Sequence, residues 1–247
     1  MLWADGEALI IAAPQGLGKT TLPQQLALGW IGIPGYSSLL GFPITSGIRV
    51  LYLAMDRPRQ GARSFRRMVG EGHRAQLHEH LTVWQGRPPG DLAKYPSLLL
   101  ELCKQACADA VIVDSLKDAA VGLSDDEVGA GYNRARQNAC AAGVKVLELH
   151  HLRKALTRVE AEYPTIDGVD GSTWITSGAG SVGSAQRQTR RCDRFVPPHQ
   201  SASLRSWPAQ IIHDHDTGKS ETWHDRRPCR HRPSRLRLDT PSPALRQ

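Results

Sequence analysis

A chain of 247 residues, 40% of them hydrophobic, can bury one full core and leaves room for one domain with an appendage. No apolar run approaches the roughly 18 residues that span a bilayer, and Asp5 and Glu7 stand where a signal peptide carries Lys or Arg, so a cytoplasmic protein with no membrane partner is expected. The net charge of +7 lies wholly in the tail, since 18 Lys+Arg balance 18 Asp+Glu over residues 1–183 whereas 13 face 6 over residues 184–247, so the basic balance does not mark the core as a binder of polyanions.

The first predicted elements carry the strongest signal. The run Ala8 to Ala13 reads as a buried strand, and Thr21 through Leu28 reads as a helix. Between them lies Ala13-Pro14-Gln15-Gly16-Leu17-Gly18-Lys19-Thr20-Thr21, a glycine loop in the strand-to-helix setting that a phosphate cradle needs. Glycines let backbone N–H groups converge on an anion. Lys19 would reach the β- and γ-phosphates of ATP, and the Thr20 hydroxyl would take a place on Mg²⁺. The motif departs from GxxxxGK[ST] at its first position, where Ala13 keeps the residue small. The structural alternative is an ordinary glycine turn. Pro23 adds an expectation of strain: in a helix starting at Gly18 its ring would press on the carbonyl of Lys19.

Gly29 to Gly47 reads as a Gly/Pro/Ser-rich connector. The β-rich run Ile48 to Ala54 then stops at Met55-Asp56-Arg57-Pro58. A carboxylate at that strand end can orient or deprotonate an attacking water, and Asp56 is the candidate; the alternative is an acidic helix cap ahead of Pro58. Arg57, Arg59, Arg63, Arg66 and Arg67 follow as a basic stripe, able to meet phosphates of nucleic acid or of a neighbour's nucleotide, or simply solvated. Leu81 to Trp84 is a further strand and Tyr95 to Ala108 a helix, with Cys103 and Cys107 one turn apart. The five cysteines form no CxxC pair, so neither a disulfide framework nor a zinc site is expected.

Ala110-Val111-Ile112-Val113-Asp114-Ser115 is an unbroken apolar strand ending in aspartate, the pattern of a buried strand that presents Asp114 to Mg²⁺. Lys117 to Glu127 reads as a polar loop, Val128 to Ala142 as a helix closed by Gly143, and Lys145 to Leu149 as a strand ending at His150-His151. Adjacent strand residues point to opposite sides, so the two histidines are not expected to share one ion, and one should face the nucleotide.

This order of elements resembles the RecA-like P-loop ATPases, particularly the DnaB and plasmid RepA hexameric helicases and related AAA-type ATPases of actinobacterial mobile elements, from about Leu9 to Val182. AAPQGLGKTTL looks like their Walker A, YLAMDRP like the RepA-type strand with Asp56 where most have glutamate, VIVDS like the Walker B strand, and ELHHLRK like the strand ending in a γ-phosphate sensor, with His151 in the sensor position. The resemblance implies an α/β fold with a twisted, mostly parallel sheet between helices, ATP and Mg²⁺ as cofactors, DNA as a partner, and a homo-oligomeric ring with shared sites. It also exposes a departure: in the segment Gly171 to Gly180, Gly180 occupies the position of the RepA-type arginine finger.

The implied domains are an ATPase core over 1–183 and a tail over 184–247. That tail holds 12 arginines, 7 prolines and 5 histidines with few aliphatics, so no packed core can be argued for it beyond a short hairpin near 208–224. It reads either as a nucleic-acid-binding segment or as the product of a slipped GC-rich frame, the second being preferred. The functional expectation is an ATP-hydrolysing motor of the helicase or DNA-remodelling kind. The alternatives are a nucleotide-binding regulator or degenerate partner subunit with little turnover, and a binder of nucleic acid through its tail.

Overall fold

The computed structural model describes residues 4–14, 19–153, 168–187, 193–196, 209–213 and 220–223. Six strands form the parallel body of the sheet: β1 (Ala8–Ala12), β4 (Val50–Ala54), β5 (Leu81–Gln85), β6 (Ala110–Asp114), β7 (Lys145–His150) and β8 (Ser181–Arg187). Their spatial order is β5-β4-β6-β7-β1-β8, every neighbouring pair parallel. Beyond β8 the sheet continues antiparallel through β9 (Asp193–Val196), β10 (Ala209–His213) and β11 (Ser220–Trp223). A two-stranded ribbon, β2 (Ser38–Leu39) with β3 (Phe42–Pro43), lies in the connector.

Helices cover both faces, as the near-continuous apolar runs of the parallel strands require. Leu9, Ile11, Tyr52, Ile112, Leu147 and Leu149 pack with Leu22, Leu26 and Leu28 of α1 (Thr21–Trp30) and Met68 of α2 (Pro58–Met68). The alternate residues, among them Ile10, Leu53, Val111, Val113 and Val146, pack on the other side against α4 (Leu98–Gln105), α5 (Leu116–Ala119), α6 (Asp126–Ala141) and α7 (Thr173–Ser177). α3 (Arg74–His80) leads into β5.

The register aligns the strand ends that bear chemistry. Ala54 stands beside Asp114, Asp114 beside Leu149, and His150 beside Ala12. The carboxyl ends of β4, β6, β7 and β1 therefore form one row, where open α/β sheets bind ligands.

Three local expectations are corrected, and one helix, α3, has no counterpart in the sequence reading. The helix expected over Tyr95 to Ala108 is confined to Leu98–Gln105: Pro96 precedes its Ser97 cap, and Cys107 adopts a left-handed φ of 48° beyond its end, so Cys107 is not on the helix with Cys103. The expected loop from Lys117 begins inside α5. α3 has no buried residue and so offers no apolar stripe to read. Pro23 is the third residue of α1, where its missing N–H is one of the four that lack an intrahelical partner, and the carbonyl of Lys19 lies outside the helix; the expected clash does not arise.

Candidate functional site

The anion-binding end is built first. Ala13 is fully buried and its N–H bonds the carbonyl of His150 at 3.2 Å, which ties the end of β1 to the end of β7. Pro14 is exposed just beyond it. Gln15, Gly16, Leu17 and Gly18 lie outside the described residues. Lys19 and Thr20 lead into α1, whose first residue Thr21 is buried. No side chain caps this helix and no acid sits in its first turn, so its amide groups and the positive end of its dipole are left to an anion.

The Lys19 ammonium donates to the carbonyl of His150 at 2.9 Å and stands 3.3 Å from Nδ1 of His151. Burial lowers its pKa to about 8 against the attraction of Asp114 and Asp56, and the nearby Lys117 lowers it further. A half-buried lysine whose charge is disfavoured by burial is suited to an incoming phosphate. With Nδ1 of His151 accepting from the ammonium, the ring proton resides on Nε2, which is buried and has no partner among the described residues. That orphaned donor beside Lys19 fits a phosphate oxygen.

The two histidines divide as strand geometry requires. His150, 1% exposed, turns its Nε2 to the carbonyl of Asp170, and burial pushes its pKa down to about 4. His151 turns toward Lys19, with its pKa lowered by burial and then by the lysine charge.

Asp114 ends β6 almost fully buried. Burial raises its pKa, opposed by a hydrogen bond from Tyr52, by the charge of Lys19 and by a hydrogen bond from the Thr20 hydroxyl. The Tyr52 hydroxyl donates to Oδ2 at 2.8 Å. Thr20 and Asp114, the two residues expected to hold a metal, are thus neighbours at this sheet end. Both offer oxygen, as a hard cation demands. Among the described residues no group of three or more His, Cys, Asp or Glu could hold a metal by itself. The pair fits Mg²⁺, which takes one or two protein ligands and completes its shell from phosphate and water.

Asp56 is exposed one residue past Met55, and the backbone N–H groups of Met55 and Asp56 donate to the carbonyl of Asp114 at 2.7 and 3.3 Å. Its negative charge acts on Lys19, Asp114 and His151. Arg57, not Asp56, is the cap residue of α2, and no side-chain capping bond forms there. The structure therefore gathers Lys19, Thr20, Asp114, His151 and Asp56 at one sheet end. The stripe of Arg59, Arg63, Arg66 and Arg67 lies on exposed positions of α2.

Sequence reasoning missed Tyr52, Gln24 and Lys117. A tyrosine inside an apolar strand requires a partner for its hydroxyl, and that signal was available for Tyr52. Gly180 lies at the opposite end of the sheet, just before β8, where an added Cβ would stand 2.5 Å from Cβ of Glu7.

Over residues 1–156 the sequence matches the family described as AAA domain. Among curated proteins no relative matches it. The crystal structure of a KaiC-like protein from the hyperthermophilic archaeon Pyrococcus horikoshii is similar, with a TM-score of 0.62 and 12% identity, covering 90% of this chain and 91% of that one. At that identity the likeness is one of fold: a RecA-like sheet flanked by helices.

Proposed function

The chain belongs to the AAA domain family, and on that premise we propose that it binds ATP with Mg²⁺ and hydrolyses it at the row of strand ends around Lys19. The observation that carries this reading is the cluster of Lys19, His151, Thr20 and Asp114 at one sheet end, with a cation and an orphaned ring donor on one side and an oxygen pair on the other.

The roles follow from the groups. Lys19 binds the β- and γ-phosphates, aided by α1 and by the expected cradle of Gln15, Gly16, Leu17 and Gly18. Thr20 and Asp114 hold Mg²⁺, which supplies neutralisation of phosphate charge when bound. His151 offers Nε2–H to the γ-phosphate. Asp56, exposed and placed by the Asp114 carbonyl, orients the attacking water and accepts its proton.

The finer proposal is a helicase-type or DNA-remodelling motor of a mobile element, with DNA and further copies of the chain as partners and the cytoplasm as its location. Its support is the resemblance of AAPQGLGKTTL, VIVDS and ELHHLRK to the DnaB and RepA types. Among the described residues no helix is long and apolar enough to cross a membrane. A second reading, a nucleotide-binding regulator with little turnover, is favoured by one observation: position 180 is a glycine packed on Glu7 and offers no cation to a neighbour. Phosphate release measured with and without single-stranded DNA separates the two. DNA-stimulated hydrolysis supports the motor, and ATP binding without stimulation supports the regulator.

A further inference from the structure

Tyr52 takes part in neither phosphate binding nor water activation, yet both its hydroxyl and its ring are held. It is 1% exposed in the middle of β4, and its hydroxyl reaches along the sheet to Oδ2 of Asp114, 2.8 Å away on β6. Gln24 of α1 lies near this hydroxyl, and its Nε2 donates to the carbonyl of Gly61 on α2 at 3.0 Å. The Tyr52 ring packs edge-on against Phe65 of α2, with centroids 5.4 Å apart and planes at 79°. A phenol with this much packing has one rotamer available, so its O–H points in one direction.

We propose that Tyr52 is a positioning residue for the metal: its hydroxyl fixes the rotation of the Asp114 carboxylate, and Gln24 fixes the hydroxyl. This rests on the reading of Thr20 and Asp114 as the Mg²⁺ pair. One carboxylate oxygen is committed to Tyr52, so the group cannot swing to offer both oxygens to a cation. The arrangement would couple a bound ion to α2, because Gln24, beside the Tyr52 hydroxyl, also grips the helix that begins two residues after Asp56. Partners that orient a metal ligand in this way typically change metal affinity by about 10- to 100-fold when removed.

The test is a MgCl₂ titration of fluorescent ATP-analogue binding to the full-length chain and to Tyr52→Phe, with a parallel titration in EDTA. The proposal expects the half-saturating Mg²⁺ concentration to rise about tenfold or more in the variant, with metal-free nucleotide binding unchanged. An unchanged half-saturation overturns it and leaves Tyr52 as a satisfied core tyrosine. Should Tyr52→Phe fail to fold, Gln24→Met takes its place: a shift in the same direction supports the relay and no shift overturns it. A wild-type chain that binds nucleotide without any Mg²⁺ dependence overturns both this proposal and the reading it rests on.

Discussion

The ammonium of Lys19 lies 3.3 Å from Nδ1 of His151, and the same ammonium holds the carbonyl of His150 at 2.9 Å. The cation proposed to bind phosphate is thereby seated on the strand end that carries the ring expected to face the γ-phosphate. On the proposed function, nucleotide binding and the end of β7 would share one charged group.

Lys19→Ala should lower ATP affinity by about 2 kcal/mol, or roughly thirtyfold, the worth of hydrogen bonds to a charged group. Calorimetric titration measures it, with the circular dichroism spectrum unchanged. The wild type carries a second signature: because Lys19 loses its proton near pH 8 rather than at its usual 10.5, affinity should fall as pH rises through 8, and the Lys19→Ala variant should show no such step.

Asp114→Asn and Asp56→Asn should part company. The first removes charge from the metal pair and should raise half-saturating Mg²⁺ at least tenfold. The second should leave binding intact and lower kcat by about 10²- to 10⁴-fold, since a water-activating group acts in the transition state. Equal losses of binding in both would reassign Asp56 as a ligand.

His150 gives an acid limb to stability. Its pKa is about 4 in the folded chain against an ordinary 6.5, so the unfolded chain takes up the proton first as pH falls. Stability is complete above pH 6.5 and is lost between about 6.5 and 4, by roughly 3 kcal/mol at the end of that window. Urea melts from pH 7.5 to 4.5 should show this slope, flattened in His150→Gln.

A buried charge network fixes the face of β7 on which His150 also lies. Glu148 is fully buried and accepts from Tyr132 at 2.8 Å and from Arg136 at 2.7 Å, while Arg136 also donates to Asn133 and to the carbonyl of Ile175 in α7. Glu148→Gln should cost about 3 to 5 kcal/mol by leaving Arg136 buried and unpaired. Gly178→Ala should also destabilise, because its Cβ would stand 1.8 Å from the Asn133 oxygen that Arg136 uses. Thermal melts of both variants check the network.

The legible parts of the chain were those where residue type and strand end coincide. Asp114 closes an apolar run, Lys19 and Thr20 follow glycines, and the paired histidines end a strand; each of these local patterns survives folding. The links across the sheet were not legible, because the register that sets Tyr52 two residues below the row of Asp114 is a property of the assembled strands. Arg136 and Glu148, twelve positions apart, look like two surface charges in sequence and meet only when α6 packs on β7. The strain expected of Pro23 required a helix starting at Gly18, whereas α1 starts at Thr21, as read from the sequence. The phosphate loop from Gln15 to Gly18 lies outside the described residues, so its cradle rests on the motif.

Phosphate release by the purified full-length chain at millimolar ATP, with Mg²⁺ and in EDTA, tests the central claim most directly. The account predicts Mg²⁺-dependent release that disappears in Lys19→Ala, and slow turnover, because no arginine stands at position 180 to supply the roughly 10³- to 10⁵-fold contribution of a neighbour's cation. Release that is equal in EDTA, or equal in Lys19→Ala, would contradict it.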